Sequence, residues 1–244
     1  MKIIISPAKK INDKQDFNYK VNQTKILNKA YELYDYLRKL NIDELNKVIN
    51  ASKTITTKTY DDIQRFNLNE GFLTAIFAYD GIQYKNINAS IMSDEELEYL
   101  NNHLLILSAI YGANRPFDLI IPHRLEMQAK VNNQNLYDYW DDTIVLEFID
   151  KDETVINLAS LEYSKAITPY LNKHQVINIF FKEIDNDKLI EKGVYVKIAR
   201  GVMVRYLATH NITNIEDIKK FNELGYIFNN DYSDDNNLVF TRRK

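Results

Sequence analysis

The feature that most constrains this fold is a mid-chain stretch where a continuous apolar run, residues 104–107, leads directly into turn-forming and charged residues. Residues 108–127 hold two of the chain's four prolines, two arginines, one histidine and two acids. A continuous apolar run is typical of a strand covered on both faces of a sheet, and Gly and Pro then interrupt the regular backbone. The sequence therefore predicts a buried central strand and then a shaped loop that presents polar groups, rather than an amphipathic helix or a simple hairpin.

Loops held by a rigid scaffold are where binding and catalytic residues concentrate, so this loop has two interpretations. It could be a rigid connection in which Arg115 pairs with Asp118 and Arg124 pairs with Glu126. Alternatively, the two arginines could belong to a binding site. The residues of the loop by themselves leave both interpretations open.

Length and composition exclude several classes of protein. The chain has 244 residues, enough for one large domain that buries about 70–75% of its unfolded surface. It has no Cys, which excludes disulfides, thiolate metal sites and cysteine nucleophiles. No apolar run approaches the ~18–20 residues of a membrane span, and the first residues are too short an apolar run for a signal peptide. We expect a soluble, cytoplasmic single domain over residues 1–244, with no membrane contact.

The net charge of −3 means that phosphate binding would need a local basic patch. One such patch lies in residues 194–210, where an apolar helical segment carries Lys197, Arg200 and Arg205 within an arc of about 140°. No acid occurs between Lys192 and Ile215. This face could simply be solvated, but arginines on a mostly buried helix need a carboxylate or a bound anion as partner.

Two short apolar runs predict strands that end in polar residues. Residues 3–5 lead into Ser6, and residues 154–160 contain Asn157 and end at Ser160. Open α/β sheets bind ligands at the carboxyl ends of their strands, so these side chains are candidate pocket residues. Further strands are predicted at 176–181 and 238–241, and a helix from Leu136 through Phe148.

Residues 22–67 have a helical pattern. A cap at Asn41 or Asp43 predicts the start of a second helix, and residues 51–53 separate it from a third. Two short helices joined by a tight turn resemble a helix-hairpin-helix, which binds duplex phosphates through backbone N–H groups, although the usual hairpin glycines are missing. A DNA-binding hairpin and a plain helical subregion both remain open.

Most catalytic chemistries lack support in the sequence. The four histidines have no metal-ligand spacing, no G-x-S-x-G elbow indicates a hydrolase, and no Walker loop or dinucleotide fingerprint is present. We therefore expect neither a metal nor a cofactor. The remaining set of Arg and Lys with Asn, Ser, Tyr and a carboxylate suits phosphate recognition or a nucleobase pocket.

Several motifs occur in an order that identifies a resemblance over essentially the whole chain. They are Ile5-Ser6-Pro7-Ala8-Lys9, residues 107–127, residues 136–141, residues 155–160 with Glu162, Tyr163 and Lys165, and Ala199-Arg200-Gly201 with Met203 and Arg205. Together they resemble the YaaA family of bacterial peroxide-stress proteins.

The resemblance implies a single α/β domain with a mixed central sheet, flanking helices and an N-terminal helix-hairpin-helix-like region around a basic cleft. It implies binding to DNA, duplex included, and protection from hydrogen peroxide by lowering free intracellular iron. Contacts to phosphates would make the DNA binding largely independent of sequence. No established reaction comes with it, and it leaves the oligomeric state open. Carried over by motif, the residues expected to bind phosphate are Lys9, Arg115, Arg124, Lys165, Lys197, Arg200 and Arg205.

Three hypotheses follow for the function. The first is a protective protein whose basic cleft binds DNA phosphates. The second is a glycosylase-like enzyme on a nucleobase or nucleotide, with Glu126 as acid or base and Arg115 and Arg124 on the phosphate. The third is direct iron sequestration, which the absent Cys and scattered His disfavour. The polar residues expected in the pocket are Ser6, Asn157, Ser160 and Tyr163.

Overall fold

The computed structural model describes residues 1–12, 19–22, 25, 27–186 and 188–243. Its strands are β1 Lys2–Ile5, β2 Lys10–Ile11, β3 Leu73–Thr74, β4 Tyr79–Asp80, β5 Leu104–Ser108, β6 Gly112–Asn114, β7 Leu119–Ile120, β8 Lys130–Val131, β9 Gln134–Asn135, β10 Val155–Asn157, β11 Val176–Asp185, β12 Lys188–Ile190, β13 Ile227–Phe228 and β14 Asn237–Arg243. Its α-helices are α1 Asn28–Lys39, α2 Ile42–Ile49, α3 Lys53–Arg65, α4 Ala75–Ala78, α5 Ile82–Ile87, α6 Asp94–His103, α7 Leu136–Trp140, α8 Thr143–Phe148, α9 Leu161–Ser164, α10 Gly193–Thr209 and α11 Ile215–Ile218.

The main sheet has the strand order β13-β14-β11-β10-β1-β5-β6, with β12 paired to β11. β1 pairs in parallel with β10 on one side and with β5 on the other, while β6 and β13 pair antiparallel with their neighbours. Ile3, Ile4 and Ile5 are completely buried, as their β-branched run predicts. The mixed α/β sheet predicted from the sequence is confirmed.

The connections between strands change direction at β1. The chain passes from β1 to β5 on one side, returns to β10 on the other side, and continues outward to β11 and β14. The connections that follow β1 and β10 therefore lead away from each other. Such a switch point opens a crevice at the carboxyl ends of the two strands, where α/β proteins bind ligands.

The stretch after the apolar run begins with a tight hairpin. β5 and β6 pair antiparallel, and Ser108 lies opposite Gly112. Gly112 has a φ of +76°, a left-handed conformation that favours glycine, and the Ser108 hydroxyl accepts a hydrogen bond from the Tyr111 N–H at 3.2 Å. The stretch therefore begins with a hairpin that the sequence did not predict, because one left-handed glycine reverses the chain before the first proline of the loop.

The helix predicted from Leu136 through Phe148 is broken in two. α7 ends at Trp140, and Asp141 has a φ of +52° before α8 begins. Trp140 is completely buried, and its indole N–H donates to the Ala109 carbonyl at 3.0 Å. Tertiary packing of this side chain outweighs the local helical pattern.

Helices α1, α2 and α3 confirm the helical pattern predicted for residues 22–67, of which residues 23, 24 and 26 lie outside the described residues. Asn41 caps α2 by accepting the Glu44 N–H at 3.0 Å, and the Glu44 carboxylate accepts the Asn41 N–H at 2.8 Å. Asn50 makes the turn towards α3 in a left-handed conformation, which Asn tolerates better than most residues. Two short helices joined by a tight turn are therefore present without the usual glycine.

A close backbone approach at Gly201 holds α10 against α5. A Cβ atom at this position would lie 2.3 Å from the Gln83 carbonyl oxygen and 2.8 Å from the Asn86 Cβ. Both distances are far inside normal van der Waals contact. The missing side chain therefore sets how closely α10 approaches α5, and with it the positions of Lys197 and Arg200.

We expect Gly201→Ala to destabilise the protein by about 1–3 kcal/mol, because the added methyl group forces the two helices apart. Urea unfolding followed by circular dichroism measures the change in the free energy of unfolding. Gly193→Ala is the matched control, since it lies at the start of the same helix with nothing within 4 Å of the added Cβ. Equal stability of the two variants would contradict the close packing.

Candidate functional site

A cleft of about 470 Å³ opens at the carboxyl ends of β1 and β10, at the switch point of the sheet. We call it the strand-end cleft. Ser6 joins the two strand ends, because its hydroxyl accepts the Ser160 N–H at 2.9 Å and donates to the Ser160 hydroxyl at 3.1 Å. The Ser6 carbonyl accepts a hydrogen bond from the Tyr84 hydroxyl at 3.0 Å. The floor of the cleft is thus tied to both the sheet and α5.

Two cations brace Glu126 in the wall of this cleft. Its Oε1 lies 2.7 Å from Lys9 Nζ and 3.0 Å from Arg124 Nη2, which confirms the pairing of Arg124 with Glu126 considered for the loop. Desolvation raises the pKa of Glu126, but the hydrogen bond from Lys9 and the charges of Lys9 and Arg124 outweigh it and leave the pKa below its usual range. Glu126 is therefore ionised at neutral pH.

Glu162 is a second carboxyl in the cleft, and its part in the site was not predicted. Desolvation raises the pKa of Glu162, and the negative charge of Glu126 raises it further. Hydrogen bonds from the backbone of Gln128 and Met127 lower this pKa but do not outweigh the other two effects. Its Oε1 is buried and has no hydrogen-bond partner among the described residues. The pKa of Glu162 is therefore raised while that of Glu126 is lowered, so Glu162 takes up a proton more readily than Glu126. The available signal in the sequence was its position two residues after Ser160.

Lys197 and Arg200 line the cleft from one turn of α10. Neither forms an ion pair with an acid in the part of the chain that the structure describes. The Nε of Arg200 is buried without a hydrogen-bond partner there, and desolvation lowers the pKa of its guanidinium. Because a desolvated cation without a partner is costly, Arg200 indicates where an anion would bind, and the exposed Lys197 adds a second positive charge there.

A larger cavity of about 970 Å³ shares Ser160, Lys197 and Arg200 with the strand-end cleft. Its polar lining is dominated by carboxamides on or beside β10, β11 and β14, and we call it the asparagine groove. These carboxamides belong to Asn157, Asn178, Asn236 and Asn237. Lys197 and Arg200 therefore face two cavities.

A small chamber of about 20 Å³ adjoins the cleft at Glu126, with room for about one water molecule. Its lining includes Tyr79, Ser108, His123, Arg124, Glu126 and Tyr163. His123 Nδ1 lies 2.8 Å from the Ile121 carbonyl, and Nε2 lies 3.5 Å from the Tyr79 hydroxyl. Desolvation lowers the pKa of His123 to about 4 despite the hydrogen bond to Ile121, so the imidazole is neutral and donates through Nδ1.

The structure brings most of the predicted site residues together. Those that line the strand-end cleft are Ser6, Lys9, Glu126, Ser160, Tyr163, Lys197 and Arg200. Asn157 lines the asparagine groove instead, and Arg124 lines the small chamber. Lys165 and Arg205 are not among the described residues that line these three cavities.

Arg115 also lies outside the lining of these cavities, because a neighbouring acid engages it. Its Nη2 and Nε donate to Asp118 Oδ1 at 2.8 and 3.1 Å, and its backbone N–H donates to Oδ2 at 2.8 Å. Asp118 is completely buried, so the guanidinium compensates a carboxylate that has left water. The loop is therefore a rigid connection at Arg115 and part of the site at Glu126.

Within the described ranges, no three His, Asp or Glu side chains are grouped so that they could hold a metal ion. The helices of those ranges also include none with the length and apolar character needed to cross a membrane.

The fold and the site together define an α/β protein with a charged cleft at the switch point of its sheet. Residues 1–232 match the family model described as peroxide stress protein YaaA. The chain belongs to this family, and the resemblance identified from its motifs is confirmed.

Similar proteins match along nearly their whole length. A UPF0246 protein of Desulfitobacterium hafniense (strain Y51) is 44% identical over 99% of this chain and 98% of its own. One of Agathobacter rectalis is 41% identical over 100% and 99% of the two chains. One of Limosilactobacillus reuteri (strain DSM 20016) is 42% identical over 98% of each.

We expect His123 to make the protein less stable in mild acid. Its pKa is about 4 in the folded state and near 6.5 when unfolded, so the unfolded state binds more protons between these values. The free energy of unfolding should therefore fall as the pH falls through this window, by up to about 3 kcal/mol from this residue. Urea unfolding at a series of pH values measures the slope.

His123→Gln should flatten that slope, because an amide can donate and accept as the neutral ring does without taking up a proton. The exposed His174 supplies the control, and His174→Gln should leave the slope as in the parent chain. Identical slopes for the two variants would refute the desolvated state of His123.

Proposed function

We propose that this chain is a DNA-binding protein of the peroxide-stress response, which binds DNA phosphates at Lys197 and Arg200 and so protects the DNA. The family supports the stress-related role. The observation that carries the DNA-binding part is that these two cations line the strand-end cleft without a carboxylate partner in the described residues. An anionic ligand would supply the missing partner.

Phosphate is the anion that best suits this pair. The planar guanidinium of Arg200 offers bidentate geometry to phosphate oxygens, and Lys197 adds an exposed point charge. Lys9 and Lys10 line the same cleft but are already paired, Lys9 with Glu126 at 2.7 Å and Lys10 with Asp80 at 2.5 Å. Contacts of this kind position a duplex without reading its bases, so we propose binding that is largely independent of sequence.

The turn between α2 and α3 supports a second contact with the duplex, as in a helix-hairpin-helix. Ser52 precedes α3 and makes no side-chain cap hydrogen bond. Lys53 and Thr54 are exposed at the start of this helix of 13 residues. The first N–H groups of such a helix, with a lysine beside them, suit a backbone phosphate.

The iron-lowering part of the proposal is supported by the family resemblance alone. Less free iron would mean less damage when peroxide meets DNA.

We expect the double change Lys197→Ala and Arg200→Ala to weaken binding to duplexes of unrelated sequence by about tenfold or more, because phosphate contacts are lost. The slope of log affinity against log salt should flatten by ~0.9 for each lost contact. Fluorescence anisotropy with labelled duplexes over a salt series measures both quantities.

Lys151→Ala is the control, since Lys151 is exposed in the loop that precedes β10, at the other end of that strand. It should leave affinity and slope unchanged. Duplex affinity that survives the double change intact would exclude the cleft as the DNA-binding site.

A second candidate function, hydrolysis of the bond between a nucleobase and its sugar, is favoured by the unlike pKa values of Glu126 and Glu162. The ionised Glu126 would take a proton from water, whose oxygen bonds to the sugar carbon as the bond to the base nitrogen breaks. Glu162, whose pKa burial raises, would hold the proton that passes to the departing base. Tyr84 and Tyr163 line the cleft as aromatic surfaces for the base.

We expect Glu126→Gln and Glu162→Gln each to slow base release from damaged duplexes by about 100-fold or more, because each removes one proton transfer. Chromatography of the released base measures the rate. The pH profile should be bell-shaped, with two apparent pKa values that belong to the pair.

The exposed Glu147 lies on α8, and Glu147→Gln should leave the rate unchanged. No release by the parent chain, or release that persists in both cleft variants, would rule out this enzyme. Duplex affinity measured on the same proteins keeps that result separate from DNA binding.

A further inference from the structure

Three asparagines form a continuous ladder across three neighbouring strands of the sheet. Asn157, Asn178 and Asn237 are direct register partners on β10, β11 and β14. Asn157 Nδ2 donates to Asn178 Oδ1 at 2.8 Å, and Asn178 Nδ2 donates to Asn237 Oδ1 at 3.1 Å. The three carboxamides therefore form one hydrogen-bonded row along the wall of the asparagine groove.

The direction of the hydrogen bonds along this row is fixed at each end by a group that can only donate or can only accept. At one end the Ala159 backbone N–H, which can only donate, bonds to Asn157 Oδ1 at 3.0 Å. At the other end the Asp234 carboxylate accepts from Asn237 Nδ2 at 2.9 Å through both oxygens. No amide in the row can be flipped without losing a bond, so the row is preorganised for a ligand.

The atoms of the row that can still form hydrogen bonds with a ligand are mainly acceptors. Asn178 Nδ2 donates one hydrogen bond to Asn237 Oδ1 and a second to the Asn236 backbone carbonyl, at 3.4 Å. The amide nitrogen of Asn237 donates to both carboxylate oxygens of Asp234. The amide nitrogen of Asn236 donates to the backbone carbonyls of Lys173 and Val176. Each carboxamide oxygen keeps a lone pair. A matching ligand therefore presents N–H donors to this wall.

Another part of the lining calls for an anion. Lys197 and Arg200 line the same groove, and the buried Nε of Arg200 has no hydrogen-bond partner in the described part of the chain. Glu191, the acid in the lining, acts on Arg200 only as a nearby charge. A ligand of this groove therefore combines an anionic group with N–H donors.

The volume of the groove further limits which class of ligand can fill it. Its volume of about 970 Å³ lies at the upper end of the ~300–1,000 Å³ of small-ligand sites, far more than inorganic phosphate occupies. Leu161 and Phe180 supply apolar surface between the polar groups. A phosphate, an apolar planar ring and an amino edge occur together in a nucleotide.

We propose that the asparagine groove binds a nucleoside monophosphate whose base carries an exocyclic amino group. The phosphate lies on Arg200 and Lys197, and the amino edge of the base donates to the asparagine row. The proposal shares these two cations with DNA binding but does not require the chain to bind a duplex.

Calorimetric titration of the full chain tests this, with deoxyadenosine monophosphate as the probe. Deoxythymidine monophosphate lacks the exocyclic amino group, and inorganic phosphate lacks the base. We expect both to bind at least about tenfold more weakly than the probe. Asn178→Leu should weaken binding of the probe by a similar factor, because it breaks the row at its centre.

Leu161→Trp keeps the test decisive if Asn178→Leu fails to fold. Leu161 is 70% exposed in the groove lining, so a larger side chain there obstructs the groove without disturbing the core. Leu146→Trp is the matched control, at 75% exposure on α8. We expect Leu161→Trp to lose at least about tenfold in affinity for the probe and Leu146→Trp to lose nothing.

The proposal is overturned if the probe does not bind, or binds no more tightly than inorganic phosphate or the thymidine nucleotide. It is also overturned if the two tryptophan variants bind alike. Duplex affinity is measured on the parent chain in parallel. If the chain binds duplex but not the probe, nucleotide binding in the asparagine groove is refuted and the DNA-binding proposal is unaffected.

Discussion

The parallel pairing of β1 between β10 and β5 is the interaction on which the rest of this structure depends. Its three isoleucines are completely buried, so the hydrophobic effect fixes the strand at the centre of the sheet. Because β1 and β10 run in parallel, the chain leaves both strands at the same edge, and Ser6 meets Ser160 there. The strand-end cleft follows directly, since the connections after these two strands lead away from each other.

The second constraint is the depth of α10. Gly201 lets this helix approach the Gln83 carbonyl more closely than any side chain would permit, and this places Lys197 and Arg200 between two cavities. Glu126 in the cleft wall is held by Lys9 and Arg124, and Glu191 acts on Arg200 only as a nearby charge. A protein of net charge −3 thus places Lys197 and Arg200 together without an ion-pair partner among the described residues, and an anionic ligand can bind there.

Local sequence signals account for much of the fold. The helix cap predicted at Asn41 or Asp43 forms at Asn41, because a cap involves residues within one turn. The signals fail where a distant residue decides. Trp140 ends a predicted helix early, and its buried indole bonds to the distant Ala109. At Arg115 the local sequence left two interpretations open, and the complete burial of Asp118 selects the pairing between them. Both outcomes depend on burial, which a local pattern does not contain.

For the site, the sequence by itself determined which residues follow the strands: Ser6 after β1, Ser160 after β10, and the cations of one helix. These are properties of short segments, and propensity and spacing suffice to identify them. Only the tertiary structure decided which side chains of the site lie next to one another. Burial and the neighbouring charge of Glu126 raise the pKa of Glu162. The asparagine row exists because strand register aligns residues that are far apart along the chain, and register is set by the packing of the whole sheet.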